Sequence, residues 1–287
     1  MTSADAGESG KGSWMSKPVA EVKPVELRTD IAHSARIYDY FLGGKDNFPA
    51  DRAAAEQIRQ AFPDVPHAAR QNRGFLVRAA RYLVGEVGIR QFLDIGTGIP
   101  TSPNLHEVTQ EIAPETRVVY VDNDPIVLAH ARALLVSAPE GRTAYLDADL
   151  RDPDRILNSA EVRDTLDMGR PVALSLVAIC HFIPEENDPL GIVRKLVDAL
   201  PSGSALVLTY LTADFAPENV AKLAQVYRSQ GIPITPRSRD EVLQFFEGLD
   251  LVDPGLQPLH RWRPDETTPT DLTDAQVGGY AGVAIKP

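Results

Sequence analysis

Cysteine is nearly absent: Cys180 is the one cysteine among 287 residues, which excludes an internal disulfide, a Cys-rich metal site and a dithiol redox pair. Positive charge is also short. The 29 Lys and Arg against 40 Asp and Glu leave a formal charge of −11, and a field of that sign disfavours non-specific binding to nucleic acid. No apolar run approaches the roughly 20 residues of a membrane span. The opening Met1 to Lys17 is polar and rich in Gly and Ser, unlike a secretory signal. The expected setting is cytoplasmic, with neither membrane nor nucleic acid as partner. Aromatics reach only 7%, yet 43% hydrophobic and 24% charged residues are ordinary for a folded chain of this length, which allows one main core.

Residues 1–27 show no helical or strand period and are expected to form a flexible tail. From Thr29 onward Ile31, Ala35, Tyr38, Phe41 and Leu42 recur at helical spacing, with Asp30 as the expected N-cap and Gly43-Gly44 as the stop. Helices are also expected over Asp51 to Ala61 and Pro66 to Val87. The last carries an apolar stripe of Phe75, Leu76, Ala79, Tyr82 and Leu83 beside Arg70, Arg73, Arg78 and Arg81. Residues 28–88 therefore read as an N-terminal helical cap and 89–287 as an α/β domain. In the latter, RQFLDIG, RVVYVDN, TAYLDAD, PVALSLVAI and SALVLTY alternate with helical patterns, as in a parallel sheet. Asn104 with Glu107, Asp124-Pro125, Asp152-Pro153 and Ser238 with Glu241 mark helix starts. Two runs near the end, LDLVDPG and YAGVAIKP, are separated by the polar stretch Gln257 to Ala275 and fit an antiparallel pair at a sheet edge.

The first strand runs into Asp94-Ile95-Gly96-Thr97-Gly98, where glycines let a ligand approach the backbone at the carboxyl end of a strand. A dinucleotide fingerprint wants a third glycine where Thr101 stands. Asp94 would also set a negative charge against a pyrophosphate, whereas it favours a cationic ligand such as the ammonium of S-adenosylmethionine. Asp122 ends the second strand and can accept hydrogen bonds from both ribose hydroxyls of an adenosine. Asp149, ending the third, can accept from the adenine amine. Each acid also has a plain structural account, Asp122 and Asp124 as helix caps and Asp149 as a partner of Arg151, but all three fall on one edge of the sheet.

The residues FLDIGTG, VVYVDND, LDADLRDP, SLVAICHFIP and LPSGSALVLTY resemble the successive motifs of class I S-adenosylmethionine-dependent methyltransferases. With ARIYDYFLGGKDNFPADRAAAEQI and NRGFLVRAARYL added, the chain from Ile31 onward is similar to a bacterial family of such enzymes. That resemblance implies a Rossmann-like, doubly wound, seven-stranded sheet with an antiparallel last strand. It implies S-adenosyl-L-methionine as cofactor, S-adenosyl-L-homocysteine as product, and cofactor contacts by Asp94, Ile95, Gly96, Gly98, Asp122, Asn123, Asp149, Leu150, Val177 and Ala178. Pro100 departs from the pattern, since many such enzymes carry a third glycine there, and the methionine contacts are affected most. The resemblance leaves the substrate open.

Methyl transfer from a sulfonium is an in-line displacement that needs positioning more than a fixed catalytic residue. If the acceptor is a hydroxyl or ammonium, His181 at the end of strand four is the candidate base; the alternative is a packed histidine beneath the cofactor. Cys180 reads as a small buried side chain. The Gly43-Gly44 corner suits a lid, with Tyr38, Gly43 and Gly44 on the cofactor and Lys45 and Asn47 on the substrate; the alternative is a helix C-cap on the core. Arg73 and Phe182 complete the expected substrate side, and His33, His67, His106, His130 and His260 show no metal-ligand spacing. The function expected is methylation of a small molecule. A non-catalytic protein that binds S-adenosylmethionine or its demethylated product, and an NAD-dependent oxidoreductase, are the other readings. Asp94 and the missing glycine disfavour the latter.

Overall fold

The computed structural model describes residues 28–127, 129 and 137–287; the tail expected over 1–27, and His130, lie outside them. One mixed sheet organises the chain. Its strands are β1 (Gln91–Ile95), β2 (Arg117–Asp122), β3 (Arg142–Asp147), β4 (Ala173–Leu176), β5 (Ala205–Leu211), β6 (Asp250–Leu251), β7 (Gln257–Pro258) and β8 (Gly279–Ile285). The order is β3-β2-β1-β4-β5-β8-β6, with β1 to β5 parallel and β8 antiparallel to β5 and β6. Strand order reverses between β1 and β4, the switch point at which such sheets open a crevice. The terminal antiparallel pair forms as expected, but with an addition. The two-residue β7 also pairs with β8, so the sheet has eight strands where seven were expected. The reason lies in the stretch read as polar, where the buried Leu259 and Trp262 anchor the chain beside β8.

Strands β1 and β4 are buried along their whole length, as parallel strands covered on both faces must be. Leu93, Ile95, Val119, Val121, Leu174 and Leu176 face one apolar layer with Ile156, Val162 and Leu196. Their neighbours Phe92, Val118 and Ala173 face the other, against Phe75, Leu76, Ala79 and Leu83 of the α3 region and Leu105 and Val108 of α4 (Leu105–Ile112). Helix α3 (Val65–Tyr82) thus lies on the sheet from Phe75 onward. Its first turns, through Val65 and Ala69, join a third cluster with α1 (Ser34–Leu42), α2 (Pro49–Ala61) and the Pro217–Ser229 helix. Ile37, Phe41, Ile58 and Phe62 meet Leu223, Ala224 and Tyr227 there.

The capping boxes of Asn104 with Glu107 and Ser238 with Glu241 form as read, and Asp152 caps through Arg155 N–H. Helix α1 differs. It begins at Ser34, capped by His33 rather than Asp30. Long-range contacts fix that start: the backbone N–H of His33 donates to Asp51 at 2.9 Å, and its ring lies 3.1 Å from Asp124. Arg36, one turn on and 4% exposed, sits 3.4 Å from Asp124 and 3.7 Å from Asp51. A buried ionic cluster thereby ties α1 to the segment that follows β2. Among the described residues no helix is long and apolar enough to cross a membrane.

Candidate functional site

A cleft of about 440 Å³ opens at the carboxyl edge of β1, β2 and β4, under α1. Its floor is the glycine turn. Gly96 has φ +75°, and a Cβ there would fall 2.6 Å from Ile179 Cγ1, so both backbone conformation and close packing demand glycine. The turn is laced to β2: Gly96 N–H donates to Val121 O at 2.8 Å, and Gly98 N–H donates to the Asp122 carboxylate at 2.8 Å. The other Asp122 oxygen accepts from Asp124 N–H at 2.9 Å. Burial pushes the Asp122 carboxyl upward, and these amides oppose that shift.

Asp94 is 5% exposed in the cleft wall. Burial raises its carboxyl, with the side chains of Ser175, Thr97 and Arg73 acting in the opposite sense. Arg73, the nearby cation, donates instead to the carbonyls of Thr101 and Pro103 and so pins the loop around Pro100. Among the described residues no salt bridge reaches Asp94.

Asp149 lies two residues beyond β3 rather than at its end. Its carboxylate accepts from Arg151 N–H and Nε, both at 2.9 Å, and from Asn123 Nδ2 at 3.0 Å. These bonds, Arg151 foremost, hold it at about 2. The opposite wall begins at Ala178, a non-glycine residue at φ +56°, a conformation costing about 1–2 kcal/mol. Ala178 N–H donates to Thr209 Oγ1 at 2.8 Å, Thr209 donates to Asn72 Oδ1 at 2.7 Å, and Asn72 Nδ2 donates to Tyr38 Oη at 2.8 Å. Tyr38 in turn donates to Ala69 O at 2.9 Å. This chain of bonds joins β4, β5, α3 and α1 along one side of the cleft.

The model of the S-adenosyl methyltransferase family matches residues 20–287. The chain belongs to the S-adenosyl methyltransferase family. It is 53% identical to a DUF574 family protein from Streptomyces avermitilis, whose crystal structure superposes with a TM-score of 0.90 over 91% of this chain and 100% of that one. A candidate methyltransferase from Thermobifida fusca YX is 43% identical, with a TM-score of 0.83 over 91% and 97% of the two chains. No curated protein matches.

In this S-adenosylmethionine-dependent methyltransferase, Tyr38, Arg73, Asp94, Ile95, Gly96, Gly98, Asp122, Asn123, Asp149, Leu150, Val177, Ala178 and Phe182 all line the cleft. Gly43, Gly44, Lys45 and Asn47 do not. The glycine corner is closed from within: a Cβ on Gly44 would fall on the Asp39 carboxylate, which accepts from Asp46 N–H at 3.0 Å and Asn47 Nδ2 at 2.7 Å. Gly43, at φ +83°, is the C-cap of α1, and Lys45 is exposed. His181 does not line the cleft but an adjoining, open and mostly apolar pocket. Cys180 is buried, its thiol pushed up to about 12 by desolvation.

Three features of the cleft escape a reading of the sequence. His33 precedes the first helix without a motif. Ile179 matters only because it stands over Gly96. The Gly231-Ile232-Pro233 loop comes from far along the chain and carries only an ordinary turn signal.

Proposed function

We propose that the cleft binds S-adenosyl-L-methionine and that the enzyme methylates a small molecule held beside it. The observation that carries this reading is Asp94, a buried carboxylate in the cleft wall that no salt bridge among the described residues reaches. A cationic α-ammonium group compensates it; a pyrophosphate would aggravate it. Asp122 fits the ribose, because each of its oxygens accepts one backbone amide and keeps a lone pair for a hydroxyl. Gly96 and Gly98 let the ligand lie against the backbone, with Ile95 and Val177 beneath. Asn123, Asp149 and Leu150 surround the adenine end, and the Asp149 carboxylate must loosen its grip on Arg151 to accept from the adenine amine. Bound there, S-adenosylmethionine supplies an electrophilic methyl group, and S-adenosyl-L-homocysteine is the product. The acidic chain and its lone cysteine fit a small-molecule substrate in the cytoplasm.

Parallel calorimetric titrations of ligand-stripped protein with S-adenosylmethionine, S-adenosylhomocysteine and NAD test the proposal. Micromolar binding of the first two and none of NAD is expected; silence from both sulfur ligands refutes it. Asp122→Ala should weaken S-adenosylhomocysteine by about 1.5–3 kcal/mol, the value of hydrogen bonds to a charged group. An unchanged affinity removes Asp122 from the site.

A further inference from the structure

The charged side chains of the cleft are gathered along one half of it. Asp94, Asp122 and Asp149 belong to the ends of β1 and β2 and to the turn after β3, and Arg151 is bonded to Asp149. His33 lies 3.1 Å from Asp124, just past β2, and Arg73 donates to the carbonyls of Thr101 and Pro103 in the loop after β1. The strand order β3-β2-β1-β4-β5 sets these residues in a row that stops before β4.

The other half is built by two loops. One follows β4 and supplies Ile179, Phe182 and Pro184; the other follows the Pro217–Ser229 helix and supplies Ile232 and Pro233. They lie side by side. Thr235 N–H donates to His181 O at 2.8 Å, and the Phe182 ring packs 5.5 Å from that of Tyr227, whose carbonyl accepts from Ile232 N–H at 3.0 Å. No Asp, Glu, Lys, Arg or His of these two loops lines the cleft. The charges next to them in sequence are turned elsewhere, Glu185 to Arg237 and Arg228 to Ile234 O at 2.8 Å. The polar groups bordering this half are also taken, because Ala178, Thr209, Asn72 and Tyr38 bond one another.

A carboxylate or an ammonium group set against these loops would give up hydration with no counter-ion to replace it, whereas apolar surface gains by leaving water there. The loops and the row of acids line one continuous cleft, so a molecule held on the loops lies beside the cofactor. We infer that the β4 half of the cleft is the acceptor subsite and that it selects an uncharged, predominantly apolar small molecule. The inference rests on the cofactor reading of the acid row.

The test uses ligand-observed NMR on the full chain loaded with S-adenosylhomocysteine, with three probes on one ring system: 2-naphthalenemethanol, 2-naphthoate and 2-naphthylmethylamine. The neutral probe is expected to bind about tenfold better than either charged one. Pro233 is exposed, and Pro233→Lys and Pro233→Glu share one backbone change while differing in the sign of the charge they add. Relative to the Glu variant, the Lys variant should bind naphthoate about fivefold better and naphthylmethylamine about fivefold worse, with the neutral probe equal in the two. Equal wild-type binding of charged and neutral rings, no binding of the neutral ring, its displacement by S-adenosylhomocysteine, or the same charge preference in both Pro233 variants overturns the inference. If S-adenosylhomocysteine fails to bind the wild-type protein, the cofactor reading falls, and the Pro233 pair on ligand-free protein decides the apolar half on its own.

Discussion

Replacing the two glycines of the turn separates backbone strain from steric crowding. Gly96 and Gly98 both sit at positive φ, +75° and +68°, so alanine at either incurs the left-handed penalty of about 1–2 kcal/mol. Their surroundings differ. A Cβ on Gly98 meets nothing within 4 Å, whereas one on Gly96 lies 2.6 Å from Ile179 Cγ1 and 2.8 Å from its Cβ. Ile179 is β-branched and stiff at χ1, so the collision cannot be relieved by a rotamer change and adds about 1–3 kcal/mol of overpacking. Gly96→Ala should therefore cost about 2–5 kcal/mol and Gly98→Ala about 1–2 kcal/mol, measured by urea unfolding with the slope held common. Combining Gly96→Ala with Ile179→Gly, which removes the Ile179 Cβ as well as its Cγ1, should show a favourable coupling of about 1–3 kcal/mol in a double-mutant cycle. Equal destabilisation by the two glycine variants, or zero coupling to Ile179, would refute the reasoning.

Arg36→Met removes the guanidinium that the buried Asp51 and Asp124 share and should destabilise by about 3–5 kcal/mol; a urea midpoint close to wild type would show that the cluster contributes nothing. Trp262→Ala empties a fully buried site packed edge-on to Phe75 at 5.2 Å, for a loss of about 3–5 kcal/mol, read by thermal or urea unfolding. Asp149 titrates below its ordinary value, to about 2, so its contribution is present above the unfolded value near 4 and is lost as pH falls toward 2. Because the carboxylate is partly exposed, that contribution is discounted to about 1 kcal/mol. Asp149→Asn should flatten the acid limb of the stability curve between pH 4 and 2, and an unaltered limb would contradict the Arg151 pairing.

What could be read from the residues was whatever is decided locally. The boxes at Asn104 and Ser238 form because cap and acid stand three residues apart, and the strands β1 to β5 declare themselves by short β-branched runs between helices. The acids Asp94 and Asp122 were legible because strand ends in a parallel sheet share one edge. Other features depended on partners far along the chain. Helix α1 starts at His33 because Asp51 and Asp124 hold it there, and no signal near Asp30 reveals that competition. Gly43-Gly44 has the composition of a mobile corner, yet the Asp39 carboxylate folded beneath it fixes the turn. Trp262 sits in a stretch rich in proline and charge, and only its packing on Phe75 and the bonds from the buried Arg78 to the Trp262 and Leu259 carbonyls make that stretch part of the core.

The third apolar cluster also bears on how the molecule is made. Its two halves, α1 with α2 and the helix Pro217–Ser229, are separated by about 165 residues of chain between Ala61 and Tyr227. At a synthesis rate of roughly 5–20 residues per second, the earlier half leaves the ribosome about 10–30 s before its final partner exists. Throughout that interval Ile37, Phe41, Ile58 and Phe62 lack the Leu223, Ala224 and Tyr227 surface that covers them in the finished fold. The roof of the cleft is synthesised well before the helix that completes it, so its vulnerability to aggregation or proteolysis is set by translation speed as well as by the stability of the native state.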